Sequence, residues 1–174
     1  MPADISTRPV SSDYPPNVER YVSLVPEMGV LVVLRNQLDE VTKVFRSVPN
    51  ERESFRYAPE KWSVRQIAGH LIDSERVFGY RALCIARGEK AGLPGFDEND
   101  YMAHASFDDL PLTQLADEFE STRRSNLLML RHLASEAWDR KGIANGNGIT
   151  VRALAYVMAG HARHHLGILA SRYI

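Results

Sequence analysis

Two histidines, His161 and His165, stand four residues apart in the sequence. In a helix, residues at this spacing lie on one face, so both imidazole rings can reach a common point. Leu154 and Ile168 share that face, which directs the rings toward a core. Buried imidazoles need partners for their ring nitrogens, and a divalent metal ion serves both rings because neutral imidazole binds it at about 2.0–2.1 Å. The pair therefore indicates metal binding.

His70 supplies a third candidate ligand. It lies beside Ile67 and Leu71 at the edge of the apolar face of another predicted helix, and sites in helix bundles are built from inward side chains of facing helices. Three histidine ligands leave at least one coordination position open, which is typical of catalytic metal sites. We predict a metal site of His70, His161 and His165. The alternatives are a histidine pair on the surface and a core histidine that hydrogen bonds satisfy.

Two further polar residues are candidates for roles in catalysis. Asp73 follows His70 by about one turn and could orient an imidazole ring or accept a proton, although an ordinary surface ion pair explains it equally well. Arg123 stands where an apolar residue would pack, and it could bind an anionic substrate or hold a buried carboxylate. The spacing of the histidine pair resembles that of zinc proteases, but Ala162 replaces their general-base glutamate, so that mechanism is excluded.

The other three histidines occupy weaker positions. His164 points about 100° away from His165 by helical geometry, so we expect it at the rim of a site. His104 lies in a long connection and could line the mouth of a cavity. His132 should face solvent.

Four segments with helical periodicity would position these residues. Apolar residues recur every three or four positions in them, and no segment alternates apolar and polar residues over the length of a strand. Ser63 and Gln66 have capping-box spacing, Thr150 is a candidate N-cap, and Pro111 suits a first helical turn. The predicted helices cover residues 26–47, 63–88, 111–133 and 150–172. We predict an all-α four-helix bundle, with a long connection at residues 89–107 that is functional or disordered and a turn-rich segment at residues 142–148.

Composition bounds the class of protein. The chain has 174 residues and a formal net charge of −1, which fits a single domain at residues 21–174 behind an irregular lead-in at residues 1–20. Near-neutral charge disfavours nucleic-acid binding. No apolar stretch approaches the roughly 20 residues that cross a bilayer, no secretory signal is visible, and Cys84 is the only cysteine. We expect a cytoplasmic protein without a nucleic-acid or membrane partner.

Three sequence segments carry a family resemblance. They are YAPEKWSVRQIAGHLIDSER at residues 57–76, LPGFD at residues 93–97 and GHARHH at residues 160–165. Together they resemble the signatures of the DinB/YfiT-like superfamily, and the resemblance covers nearly the whole chain. It implies a four-helix bundle of up-down-down-up order and a divalent metal ion, often nickel, zinc or iron, bound by three histidines. The ligand positions of the family fall on His70, His161 and His165. Many members carry an acidic residue where this chain has Ala162.

The resemblance also implies classes of function. Some members of the family resemble thiol S-transferases that use bacillithiol, mycothiol or glutathione, and others are classed as metal-dependent hydrolases. A metal ion with an open position can lower the pKa of a thiol or of water, and the residues do not choose between the two reactions. Our leading hypothesis is a metal-dependent thiol S-transferase with a small-molecule substrate and a low-molecular-weight thiol as cosubstrate. A metal-dependent hydrolase and a non-catalytic metal- or ligand-binding bundle are the alternatives.

We also expect a homodimer. Dimers are frequent in the family that this chain resembles. The run from residue 30 to residue 34 is apolar throughout, so the helix there has apolar residues on both sides. We expect Val30, Val32 and Val33 to leave an apolar surface that a second copy covers.

Overall fold

The structure is a computed structural model that describes residues 7–173 and is mostly helical. In chain order, its helices and strands are α1 (Glu19–Val22), α2 (Val30–Ser47), α3 (Val64–Ala86), α4 (Glu98–Ala103), α5 (Leu112–Arg131), α6 (Ser135–Trp138), β1 (Lys141–Ala144), β2 (Asn147–Thr150) and α7 (Val151–Arg172). The long helices α2, α3, α5 and α7 correspond to the four predicted segments.

Two of the long helices begin at the caps that the sequence indicates. At the start of α3, the Gln66 backbone amide donates to the Ser63 hydroxyl at 3.0 Å, and the Ser63 amide donates to the Gln66 side chain at 3.1 Å. These reciprocal hydrogen bonds form the predicted capping box. At the start of α7, the Ala153 amide donates to the Thr150 hydroxyl at 3.1 Å. Because these helices carry the three candidate ligands, the caps fix where the histidines lie along the bundle.

The four long helices form a bundle in which α2 and α3 each pack against both α5 and α7. The core consists of two clusters of buried apolar side chains. The first cluster joins the early turns of α2 and α7 to the last turns of α3 and α5, and the second joins the opposite ends of the same helices. His161 falls between Ala159 of the first cluster and Ala162 of the second. The histidines of α7 therefore begin at the junction between the two clusters.

Gly160 lets the N-terminal segment pack directly on α7. A side chain at this position would overlap the backbone of Tyr21, so the close contact between α1 and α7 requires glycine. An ion pair of 2.6 Å between Arg163 and Glu27 holds the same segment on α7. As a result, α1 straddles the boundary that we predicted between residues 20 and 21. Residues 1–6 of the predicted lead-in lie outside the described residues.

Residues 141–150 form a β-hairpin, which corrects the prediction that no strand is present. β1 and β2 pair antiparallel through a two-residue loop, Asn145 and Gly146, whose φ angles are 51° and 73°. Positive φ at both loop residues is the conformation of a type I′ turn. The hairpin also holds the preceding connection, because the Leu93 amide donates to the Ile143 carbonyl at 2.9 Å and the Asn145 amide donates to the Leu93 carbonyl at 3.0 Å.

Three further expectations are corrected. α2 begins at Val30 rather than at residue 26, after Gly29 with a φ of 78°. The connection at residues 89–107, predicted to be a long loop that is functional or disordered, contains the helix α4. Val30 and Val33 are only 0% and 6% exposed because they pack in the first core cluster, which leaves Val32, 58% exposed, as the only one of the three valines on the surface.

No helix in the described part of the chain is both long enough and apolar enough to cross a membrane.

Candidate metal centre

α3 and α7 bring three histidines together. The Nε2 atoms of His70 and His161 are 2.9 Å apart. The ring centroid of His165 lies 4.7 Å from that of His70 and 4.6 Å from that of His161. One ligand nitrogen from each of the three side chains lies within 4.8 Å of the other two. The structure thus gathers all three predicted ligand residues around one point.

Aromatic rings surround this cluster. The ring of Trp62 lies 4.8 Å from that of His70. Tyr21 and Phe78 present their rings at steep angles to His161, at centroid distances of 5.3 and 5.6 Å. Such contacts restrict the rotation of the imidazoles and keep bulk water away from them. The histidines are therefore held in place by packing from three different parts of the chain.

Burial keeps the three imidazoles neutral. His70, His161 and His165 are 7%, 5% and 8% exposed. Burial, assisted by the nearby His164, lowers the pKa of His70 to about 4. The pKa of His165 is lowered to about 3, mainly by burial and to a smaller extent by the charges of neighbouring histidines and Arg20. The pKa of His161 is lowered well below its ordinary value for the same main reason. Neutral imidazole is the form that binds metal ions.

The cluster opens into a cavity of about 330 Å³. Tyr21 contributes to its wall from the N-terminal segment, Phe96 from the connection before α4, and Asn145 from the hairpin turn. The three clustered histidines and His164 complete the side formed by α3 and α7. The N-terminal segment, the connection before α4 and the hairpin turn therefore close the cavity that α3 and α7 begin.

Two polar residues of the cavity wall escaped the sequence analysis. The Ser74 hydroxyl is buried and has no hydrogen-bond partner among the described residues. Arg81 is buried at the other end of the same wall. Ser74 lies four residues after His70, so helical spacing alone could have placed it on the same face of the helix as His70. The sequence also places Arg81 on this face of the helix. It does not indicate that a loop and the N-terminal segment cover Arg81 and bury it.

The structure places the other two candidate catalytic residues away from this cavity. Asp73 is half-buried, and its nearest cationic partner is Arg76, with 3.8 Å between the charged atoms. Arg123 is 0% exposed, and its Nε and Nη2 donate to the two carboxylate oxygens of Glu75 at 2.7 and 2.9 Å. Of the two roles weighed for Arg123, the structure confirms that it holds a buried carboxylate. It does not line the histidine cavity.

The remaining histidines differ in their distance from the site. His164 is half-buried and lies on the cavity wall with His161 and His165, at the rim as expected. His104 is exposed, and its Nδ1 contacts the carbonyl of Asp100 at 2.8 Å, outside the cavity lining. His132 is exposed at the end of α5, as expected.

The donor set fits a divalent transition metal ion. Imidazole nitrogen suits zinc, nickel and iron. Two nitrogens that both bind one ion at about 2.0–2.1 Å can stand about 3 Å apart, which agrees with the 2.9 Å between His70 and His161. The Ser74 hydroxyl on the same wall, which has no hydrogen-bond partner within residues 7–173, is a second sign that this cavity is built to hold a ligand.

The fold and the site together define a class, namely helical-bundle proteins in which three histidines line an internal cavity. A sequence model of the DinB superfamily matches residues 34–169. The chain therefore belongs to the DinB superfamily, which confirms the resemblance seen in the sequence.

Among solved structures the chain is similar to YfiT from Bacillus subtilis, described as a "probable metal-dependent hydrolase with an unusual four-helix bundle topology". The TM-score is 0.70 at 17% sequence identity, and the match covers 95% of this chain and 90% of that chain. At this identity the likeness shows the fold alone. No curated protein sequence matches significantly.

Proposed function

We propose that this chain is a metal-dependent enzyme whose divalent ion is bound by His70, His161 and His165. The observation that carries the proposal is the convergence of three buried, neutral imidazoles on a cavity of about 330 Å³. The ion is nickel, zinc or iron. When bound, it would supply a Lewis acid that lowers the pKa of a thiol or of water.

The chain's own residues would prepare the cavity for a reaction. Trp62 and Tyr21 pack on the imidazoles and limit the access of water. Ser74 offers a hydroxyl that no other described group uses, so it can form a hydrogen bond with a substrate or a nucleophile. His164, half-buried at the rim, can exchange protons with solvent.

The leading candidate reaction is the transfer of a low-molecular-weight thiol, such as bacillithiol, mycothiol or glutathione, to a small electrophilic molecule. The family resemblance of the sequence supports it. Hydrolysis is the second candidate, and it is favoured by the similarity to YfiT, which is itself described as a probable metal-dependent hydrolase. A non-catalytic metal- or ligand-binding role is the third.

One experiment separates the three candidates. The purified protein is incubated with each thiol and monochlorobimane, and in parallel with a p-nitrophenyl ester without thiol, before and after treatment with a chelator. We expect thiol-dependent conjugation that the chelator and His161→Ala abolish and that His132→Ala, an exposed control, leaves unchanged. Chelator-sensitive ester hydrolysis without conjugation would replace the transferase with the hydrolase. The absence of both activities would favour the binding protein.

We also propose that the chain forms a homodimer through the groove between α2 and α5. Val32 and Leu128 are 58% and 54% exposed and line the same groove, which has a volume of about 450 Å³. These two residues and Leu127 give the groove apolar side chains of the kind that protein interfaces cover, and Arg35, Arg124 and Arg131 also line it. Light scattering at micromolar concentration is the test, and a species of only 19.6 kDa would contradict the proposal.

The up-down-down-up helix order is part of the same proposal. The two core clusters support it, because α2 and α7 begin in the cluster in which α3 and α5 end.

The free cysteine Cys84 supports a cytoplasmic location, since thiols persist in a reducing compartment.

A further inference from the structure

Arg81 is a buried cation on the wall of the histidine cavity. Arg81 is 8% exposed, and its Nη2 donates to the carbonyl of Pro94 at 2.7 Å. Within residues 7–173 no carboxylate lies within ion-pair distance of its guanidinium, and Tyr101 is the one titratable neighbour that favours its charged form. Burial lowers the pKa of the Arg81 guanidinium. Charged side chains are rarely this buried without a partner of opposite charge.

The other buried arginines of the described chain do have such partners. Arg123 binds both carboxylate oxygens of Glu75, and Arg152 lies 2.8 Å from a carboxylate oxygen of Asp139. Arg81 differs from them because the side chain that its guanidinium faces is an uncharged ring, that of Phe96 at 5.8 Å from the centroid, and because it lines a cavity. The position of its missing counterion is therefore open to a molecule that enters from outside.

Arg81 is also placed to act together with the histidines. His70, Ser74, Phe78 and Arg81 follow one another along α3, and all four line the cavity. The Cα atoms of His70 and Arg81 are about 16 Å apart along the helix axis at 1.5 Å per residue. The side chain of a helical arginine leans toward the N-terminus, which brings the guanidinium closer to His70. One small molecule could thus contact both ends of the wall.

The charges at the mouth of the cavity agree with this arrangement. Arg20 is exposed and adds a second cation to the lining. Glu98 is the one carboxylate of the lining, and it is exposed to solvent, where water screens its charge. The buried part of the wall therefore carries Arg81 without a compensating anion, and an anionic ligand is attracted there more strongly than at the rim.

We propose that the cavity takes a substrate with an anionic group, a carboxylate or a phosphate, which Arg81 binds while the rest of the molecule extends toward the three histidines. This inference rests on the proposed function for the role of the histidines, whereas the anion site itself is independent of a metal. A guanidinium presents several N–H donors in a planar fork, which suits both kinds of oxyanion. Arg81 is in this view the residue that determines which substrates enter in the correct orientation.

The test is isothermal titration calorimetry with inorganic phosphate and with succinate, at an ionic strength kept constant with sodium chloride. It uses the protein as purified and again after chelator treatment. We expect at least one of the two anions to bind the wild type in both preparations, and Arg81→Gln to bind it at least about tenfold more weakly. Arg87→Gln, which changes an exposed arginine at the end of α3, should bind as the wild type does. Binding of only one anion identifies the group as phosphate or as carboxylate.

Two results would overturn the proposal: no binding of either anion by the wild type, or equal affinity in the wild type and Arg81→Gln. Should Arg81→Gln not fold, as judged by circular dichroism, Arg81→Lys decides instead. Loss of the planar fork should weaken binding relative to Arg87→Gln, and unchanged affinity would contradict the assignment. Metal content is measured on the same samples. A wild type without metal would contradict the proposed metal site but not the anion site, because anion binding is also measured after the chelator has removed any metal.

Discussion

Lowering the pH should destabilise the metal-free protein through its buried histidines. The folded pKa values of His70 and His165, about 4 and about 3, lie below the value of about 6.5 for histidine in an unfolded chain. The unfolded chain therefore binds protons that the folded protein does not. The stability that these neutral imidazoles contribute is complete above about pH 6.5 and is lost as the pH falls toward 4 and 3.

The size of the effect follows from the number of protons. Each histidine that is protonated only in the unfolded chain removes about 1.4 kcal/mol of unfolding free energy per pH unit. His161, whose pKa is also lowered, adds a third titration to those of His70 and His165. Between pH 6 and pH 5 we expect a loss of roughly 3–4 kcal/mol, which is a large part of the about 5–15 kcal/mol that stabilises a typical domain.

The measurement is urea unfolding at pH 7.5, 6.5, 5.5 and 5.0 in the presence of a chelator. The wild type is compared with His165→Gln, which removes one titration, and with His132→Gln, the same change at an exposed position. We expect the pH slope of His165→Gln to be smaller by about 1.4 kcal/mol per pH unit and that of His132→Gln to equal the wild-type slope. Equal slopes for the wild type and His165→Gln would refute the conclusion that His165 is buried in its neutral form.

Three other substitutions test separate parts of the structure. Gly160→Ala should cost about 1–3 kcal/mol and lower the thermal midpoint, because the new methyl group overlaps the backbone of Tyr21; an unchanged midpoint would contradict that packing. Glu75→Gln should cost about 3–5 kcal/mol in urea unfolding, because it leaves the buried charge of Arg123 without a carboxylate, and a loss below about 1 kcal/mol would argue against the ion pair. Ser74→Ala should leave the stability and the metal content unchanged, since its hydroxyl has no partner in the described part of the chain; a loss of metal would show that Ser74 supports the metal site.

The helices and the clustering of three histidines could be predicted because their signals are local. Apolar spacing and caps lie within one segment, so the long helices and the capping box at Ser63 follow from the sequence alone. The histidines of α7 could be recognised because polar rings on an apolar face need an explanation. Their approach to His70 could be predicted because it requires only that two predicted helices face each other in a bundle.

The rest of the site depends on packing between distant segments. The strands of the hairpin have four residues each, too few for an alternating pattern to be recognised, although the Asn145-Gly146 pair is a typical hairpin turn that could have indicated it. The choice between the two roles of Arg123 depended on the rotation of α5 relative to α3, which no local pattern determines. The cavity and the burial of Arg81 arise only when the N-terminal segment and the connection before α4 fold over α3.

The central claim is that His70, His161 and His165 bind one metal ion. The most direct measurement is the metal content, by elemental analysis, of protein purified without a metal-affinity tag. We expect about one divalent ion per chain in the wild type and in His164→Ala, and little or none in His161→Ala or His165→Ala. Undiminished metal content in either of the last two variants, or a metal-free wild type, would contradict the claim.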